Sequence, residues 1–232
     1  MNKNIVLVAI IAIPLTLAAG SCKNSKRKIE PENNCKVIIS KALNYINQYY
    51  FKKENAFLDS SIQCLKSIEN ICPEYHNIIM NDEVHAYFLK KEYNTALKTL
   101  SSIADSILPF QQFKEILQYK IMAKEAESKG DYINQKKCFQ NIIVRYNKYL
   151  EDNQVQFDSL MRLPNIDLIQ NTQFDSVLAE LYYYISKTEN IERAINKLDS
   201  LQKRINGNQL YFEELKKTIK NEGVNKMDIL LN

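Results

Sequence analysis

The residues best able to do chemistry in this chain are its five cysteines and two histidines. His76 and His85 are nine residues apart, so on a helix they fall on different turns, and no cluster of cysteines or carboxylates accompanies them. The chain lacks a GxSxG nucleophile motif, a P-loop, an HExxH zinc motif and a glycine-rich phosphate turn. We therefore expect no catalytic residue, no metal site and no cofactor.

Cys22 follows a stretch that is typical of an export signal. Lys3 provides a positive start, and residues 5–17 are almost wholly apolar, which is too short for a membrane span of about 20 residues. The small residues of the motif AGSC then lead to Cys22. This stretch resembles the lipobox of bacterial lipoproteins, which implies removal of residues 1–21, acylation of Cys22 and a membrane anchor. The alternative is an ordinary cleaved signal with an incidental cysteine.

The lipoprotein resemblance also implies a location. Residues 22–34 would form the lipidated N-terminus and a basic tether, and residues 35–232 would form the folded domain. Lys23 directly follows the cysteine, where inner-membrane retention in well-known enterobacterial lipoproteins uses Asp. The acidic residues that drive surface display in other lineages are also missing. The resemblance therefore implies the periplasmic face of the outer membrane.

The charge distribution does not indicate a nucleic-acid partner. The net charge of the chain is +4, and residues 1–34 supply +3 of it, because they contain five basic residues and two glutamates, which leaves +1 for the folded domain. Nucleic-acid binding needs a basic patch on the folded domain, which this balance argues against. We expect the basic tether to lie near anionic lipid head groups.

The apolar pattern predicts an all-α domain of antiparallel helical hairpins. Four glycines and five prolines are too few for many strand turns. Apolar residues recur at helical spacing, in pairs of segments that are joined at Lys-Lys-Glu (90–92), KGDY (129–132) and KTEN (187–190). The helix predicted at 110–129 is apolar on two faces, which indicates burial from two sides. Residues 151–172 interrupt the pattern and are expected to form an irregular insert.

These pairs resemble tetratricopeptide repeats, whose period is about 34 residues. Ala96 and Ala194 match the small residue of the family's second helix, and Tyr87 matches its first-helix tyrosine. The family's glycine and closing proline are missing from most pairs. The resemblance implies hairpins stacked as a solenoid, and the alternative is a non-repeating helical bundle.

In tetratricopeptide families the first helix of each pair lines a concave groove that binds partners. The groove positions carried over to this chain are Asn81, His85 and Phe88 in one pair, and Lys120, Lys124 and Glu127 in the next. The resemblance implies that Lys120 and Lys124 hold a carboxylate while Phe88 offers an apolar anchor. The alternative places the two lysines on a solvated face and Phe88 in the core.

A secreted compartment permits disulfides, and the four cysteines after Cys22 allow three pairings. Cys64 and Cys72 are eight residues apart, about 12 Å along a helix, which is beyond bridging range. Cys64 and Cys138 occupy the same position in non-adjacent pairs. Cys35 begins one helix and Cys72 ends its antiparallel partner, so these two ends meet. Cys35–Cys72 is the favoured pairing, and four reduced, buried cysteines are the alternative.

These features predict a lipid-anchored, non-enzymatic periplasmic scaffold that binds a protein or peptide partner through a helical-repeat groove. The alternative is a glycan-binding or nutrient-uptake accessory lipoprotein. In that case the tyrosine run at 182–184 would offer a surface on which sugars stack.

Overall fold

The computed structural model describes residues 31–105, 108 and 110–221. Within them every regular element is helical, so the predicted all-α class is confirmed. The signal segment, Cys22 and most of the predicted tether lie outside the described residues. The first helix begins at Pro31, somewhat before the predicted domain start at residue 35. The helices are α1 (Pro31–Lys52), α2 (Asn55–Ile68), α3 (His76–Leu89), α4 (Tyr93–Ser102), α5 (Phe113–Ser128), α6 (Tyr132–Asp152), α7 (Gln154–Met161), α8 (Ile166–Gln170), α9 (Gln173–Thr188), α10 (Ile191–Ile205) and α11 (Gln209–Lys220).

Each long helix packs mainly against a neighbouring long helix along the chain. The pairs predicted from the sequence are present, since α3 packs with α4, α5 with α6, and α9 with α10. The second helices of two pairs begin at Tyr93 and Tyr132, as the joints predict. α6 packs directly against α9, so consecutive hairpins follow one another in a row of hairpins. The short helices α7 and α8 interrupt this row between α6 and α9.

Three of the hairpin turns contain a residue in the left-handed conformation. Lys53, Lys91 and Gly130 follow α1, α3 and α5 with φ angles of 58°, 63° and 70°. After α3, the main-chain N–H of Glu92 donates to the carbonyl of Tyr87 at 2.9 Å, which is the six-to-one bond of a Schellman motif. Glycine fills such a position with the least strain. Two lysines therefore occupy turn positions at which glycine would have been the expected residue.

α5 lies between two hydrophobic clusters. Ile116 belongs to a cluster formed largely by α6 to α11, whereas Leu117 and Ile121 belong to a cluster formed by α1 to α4. The helix predicted to be apolar on two faces is thus covered on both. Ala96 on α4 and Ala194 on α10 are fully buried, as the close approach of paired helices requires.

A disulfide joins Cys35, near the start of α1, to Cys72, which follows α2 and precedes a 3₁₀ turn (Pro73–Tyr75). The two Cα atoms are 6.2 Å apart, and both residues are buried. Cys64 on α2 and Cys138 on α6 are free thiols. The structure therefore contains the pairing that the antiparallel arrangement of α1 and α2 favours.

The segment 151–172 is more ordered than the sequence suggests. It contains α7 and α8, and the side chains of Phe157, Met161 and Ile169 are buried in the same cluster as those of α6 and α9. The main-chain N–H of Asn208 donates to the carbonyl of Met161 at 2.7 Å, which ties the segment to the start of α11. The expectation of an irregular insert is corrected, because most of the segment forms two short helices whose apolar side chains are buried.

Candidate functional site

The groove positions expected on α3 are only partly open to solvent. Phe88 and His85 are each 9% exposed, and Asn81 is half-buried. The ring of Phe88 meets that of Tyr93 edge-on, with centroids 6.0 Å apart. The Tyr50 hydroxyl lies 2.8 Å from Nε2 of His85, which connects α1 to α3, and burial lowers the pKa of His85 to about 4. His85 and Phe88 therefore hold neighbouring helices together.

The groove positions expected on α5 also take part in packing. Lys120 is 6% exposed, and its ammonium pairs with the carboxylate of Glu180 on α9. The hydroxyl of Tyr146 on α6 donates to the same carboxylate oxygen, and burial together with Glu180 raises the pKa of Tyr146. Lys124 is more exposed and lies 3.0 Å from Glu127. The expected joint carboxylate site at Lys120 and Lys124 is corrected, because the Lys120 ammonium is already engaged.

The tyrosine run at 182–184 belongs mainly to the core. Tyr182 and Tyr184 are each 6% exposed, and the Tyr184 ring contacts that of Phe139 with centroids 5.1 Å apart. Tyr183 is half-buried and meets Tyr184 edge-on. The run therefore presents no broad aromatic platform to a sugar.

α3 buries two carboxyl groups with unpartnered oxygens. Asp82 and Glu83 are 8% and 3% exposed, and one oxygen of each has no hydrogen-bond partner in the described part of the chain. Burial raises the pKa of Asp82 to about 7, and burial together with nearby Glu69 raises that of Glu83 to about 7. An unpaired buried carboxylate is costly, so both groups favour the protonated form at slightly acidic pH.

A cleft of about 400 Å³ opens where the row of hairpins is interrupted. The Tyr149 ring centroid lies 4.2 Å from that of Phe110 and 5.5 Å from that of Phe174, so the three rings form an apolar floor. Leu160 on α7 adds an aliphatic side chain. The remaining lining residues are Asn153, Gln156, Thr172 and Gln173. Half of the lining comes from residues 151–172, so the interruption creates the cleft.

The amide groups of this cleft are partly engaged and partly open. The Tyr149 hydroxyl donates to Oε1 of Gln173 at 3.1 Å, which leaves the amide N–H groups of Gln173 without a partner among the described residues. Nδ2 of Asn153 donates to the carbonyl of Tyr149 at 2.8 Å, and Oδ1 of Asn153 remains open. Gln156 is exposed. The cleft therefore offers both donors and acceptors to a ligand.

The cleft lining carries no formal charge at neutral pH. Burial raises the pKa of Tyr149 above its ordinary value, so its hydroxyl stays protonated. A lining of this kind suits an uncharged ligand. A second cleft of about 550 Å³, beside the turn between α3 and α4, is lined instead by the charged side chains of Lys91, Glu92, Glu125 and Lys129.

The absence of two features concerns residues 31–105, 108 and 110–221. They contain no group of three or more His, Cys, Asp or Glu side chains that could hold a metal ion. None of their helices combines the length and the apolar character that crossing a membrane requires.

The sequence pattern locates the interruption at 151–172 but assigns it no role. The only sequence signal for a site here is the pair of amide side chains, Asn153 and Gln156, among aromatic residues. Asn and Gln are common at helix ends, so this signal does not distinguish a binding site from an ordinary helix end. Phe110 and Phe174 are far apart in the chain. Their rings both reach Tyr149 because α5, which follows Phe110, and α9 each pack against α6.

No protein family, curated protein or solved structure matches the chain.

Proposed function

We propose that this chain is a lipid-anchored, non-enzymatic scaffold of the cell envelope that binds a protein or peptide partner. The observation that carries the proposal is the uncharged cleft between α6, α7 and α9, which combines an apolar floor with open amide groups. Clefts of this size that combine apolar and polar walls occur at ligand-binding sites, and four of the eight residues that line this cleft are apolar or aromatic. The partner site is placed in this cleft because the groove positions carried over from the repeat family are largely engaged in packing.

A tetratricopeptide-like stack of hairpins is part of the proposal. Two contacts between first helices of successive pairs support it: Tyr50 on α1 reaches His85 on α3, and Lys120 on α5 reaches Glu180 on α9. In a stack of hairpins, the first helices of successive pairs must meet in this way. The left-handed turns that follow α1, α3 and α5 also support a repeated unit.

The anchor is the second part of the proposal. The Cys35–Cys72 disulfide supports export, because such bonds persist in oxidising compartments. We place the lipid on Cys22 and the domain at the periplasmic face of the outer membrane. The Cys22→Ser variant should lose incorporation of an alkyne-labelled palmitate and leave the membrane fraction, whereas Cys64→Ser should keep both. A Cys22→Ser protein that remains labelled and membrane-bound would contradict the anchor.

Site-directed photocrosslinking tests partner binding. A benzoylphenylalanine at Gln156, in the cleft, should capture a discrete envelope protein in living cells. The same probe at Gln140, exposed on α6, serves as the control. The captured protein, once purified, should bind the isolated domain, and Leu160→Asp should weaken that binding. Adducts that are identical from both positions, or none from Gln156, would refute a partner site here.

A glycan ligand is the second candidate function. The observation that favours it is the combination of aromatic rings and open amides in one cleft, because sugars use C–H faces and hydroxyl groups together. A glycan array probed with the labelled domain tests this alternative. Binding that is lost in Gln173→Ala would support it.

A further inference from the structure

We infer that the cleft between α6, α7 and α9 takes an extended, uncharged peptide segment with one apolar side chain directed at its floor. The inference rests on the proposed scaffold function and names the chemistry of the partner. Its basis is the small exposed area of the rings, the open amide groups and the absence of charged residues in the cleft lining.

The ring geometry favours an apolar side chain over a sugar. Tyr149 and Phe174 are 7% and 5% exposed, and the Tyr149 ring contacts both the Phe174 ring and the Phe110 ring. A pyranose needs an open ring face on which to stack, and only half-buried Phe110 retains part of one. An aliphatic or aromatic side chain can instead contact the ring edges together with Leu160, since apolar contact has no directional requirement.

The amide groups match a peptide main chain. An extended peptide presents N–H and C=O groups in alternation, and a Gln or Asn side chain carries both kinds of group. Oδ1 of Asn153 is open to accept from a peptide N–H. The amide of Gln173, whose oxygen is held by the Tyr149 hydroxyl, is open to donate to a peptide carbonyl. Gln156 is exposed beside them and can serve either role.

The electrostatics exclude a charged central side chain. None of the eight lining residues is ionised at neutral pH. The neighbouring carboxylate of Asp152 is already engaged, at 2.5 Å by Lys148 and at 3.1 Å by Gln112. A charged side chain placed on the aromatic floor would lose its hydration without gaining a counterion. A cation would gain little from the rings, because Tyr149 and Phe174 are almost fully buried.

Selection from a random-peptide phage library tests the inference. The immobilised domain should enrich peptides in which one aliphatic or aromatic residue is flanked by uncharged residues. Their synthetic counterparts should bind Gln156→Ala and Gln173→Ala roughly three- to tenfold more weakly, as expected for one lost hydrogen bond. The matched variant Gln140→Ala should bind as the parent does, and circular dichroism should show that all variants remain folded.

Three outcomes would overturn the inference. These are a selection with no enrichment over the Leu160→Asp variant, a set of enriched peptides with charged centres, and peptide binding that the two cleft substitutions leave unchanged. Oligosaccharide binding that is lost in Gln173→Ala would assign the cleft to glycans instead. A partner captured from Gln156 in cells, without peptide enrichment, would retain the proposed scaffold function and refute only the peptide chemistry.

Discussion

Removal of the Cys35–Cys72 disulfide should lower the free energy of unfolding by about 4 kcal/mol. The bond joins residues 37 apart in sequence, and closing a loop of this length removes chain entropy from the unfolded state that corresponds to about 4 kcal/mol at 25 °C. Replacing both cysteines with alanine avoids burying hydroxyl groups, since both positions are almost fully buried. Urea titration followed by circular dichroism gives the free energies of the parent and of the double variant.

Two comparisons separate the crosslink from side-chain packing. The reduced parent lacks only the covalent link, whereas the Cys35→Ala, Cys72→Ala double variant also lacks two buried sulfur atoms. The reduced parent should therefore account for most of the loss, and any further loss in the double variant measures side-chain packing. Cys64→Ala changes a thiol on the same α2 helix that is free and half-buried, so it should stay within about 1 kcal/mol of the parent. If reduction and double substitution each cost less than about 1 kcal/mol, the loop-closure reasoning is wrong for this chain.

Three further predictions concern the turns, the hairpin contacts and the buried acids. Lys91→Gly should raise the unfolding free energy by about 1 kcal/mol in urea titration, because φ at this position is 63° and strains any residue with a Cβ atom. Lys91→Ala retains the Cβ atom and should change little, so equal stabilities of both variants would contradict the strain argument. Ala96→Leu should cost ~1–3 kcal/mol, measured by thermal unfolding, because Ala96 is fully buried; a neutral effect would show that α4 is not closely packed there. The unfolding free energy should decrease as the pH rises from about 5 to about 8. The folded protein holds the protons of Asp82 and Glu83 up to about pH 7, whereas the unfolded chain releases them near 3.8 and 4.5. Their contribution is fully present below the unfolded pKa values and is lost as the pH rises through the folded ones. His85 opposes this trend below pH 6.5, because the unfolded chain protonates it there and the folded protein does not. It offsets only one of the two protons that Asp82 and Glu83 retain in the folded state. Asp82→Asn should reduce the slope of the unfolding free energy against pH by the amount that corresponds to about one proton. An unchanged slope would refute the raised pKa of Asp82.

Local sequence patterns determined most helix boundaries. Tyr93 and Tyr132 begin α4 and α6 where the polar joints predict them. The Asp131 side chain caps α6 by accepting from the main-chain N–H of Asn134 at 3.1 Å. Signals of this kind act over a few residues, so they can be recognised without knowledge of the rest of the fold.

The antiparallel order of helices also determined one long-range contact. Cys35 and Cys72 meet because one begins α1 and the other follows α2, and consecutive antiparallel helices bring those ends together. The two apolar faces of the helix predicted at 110–129 indicated burial from two sides, and α5 does lie between two clusters. Connectivity and periodicity were sufficient for both predictions.

Only the tertiary structure decided which side chains face which neighbours. Lys120 matches a groove position by sequence spacing but pairs with Glu180, from a helix far along the chain. An error of one residue in helical register rotates a side chain by about 100°, so spacing alone cannot separate an open groove from a helix contact. The cleft likewise depends on Phe110, Tyr149 and Phe174 meeting where α7 and α8 interrupt the row of hairpins. That meeting results from the packing of distant segments, which no local pattern encodes.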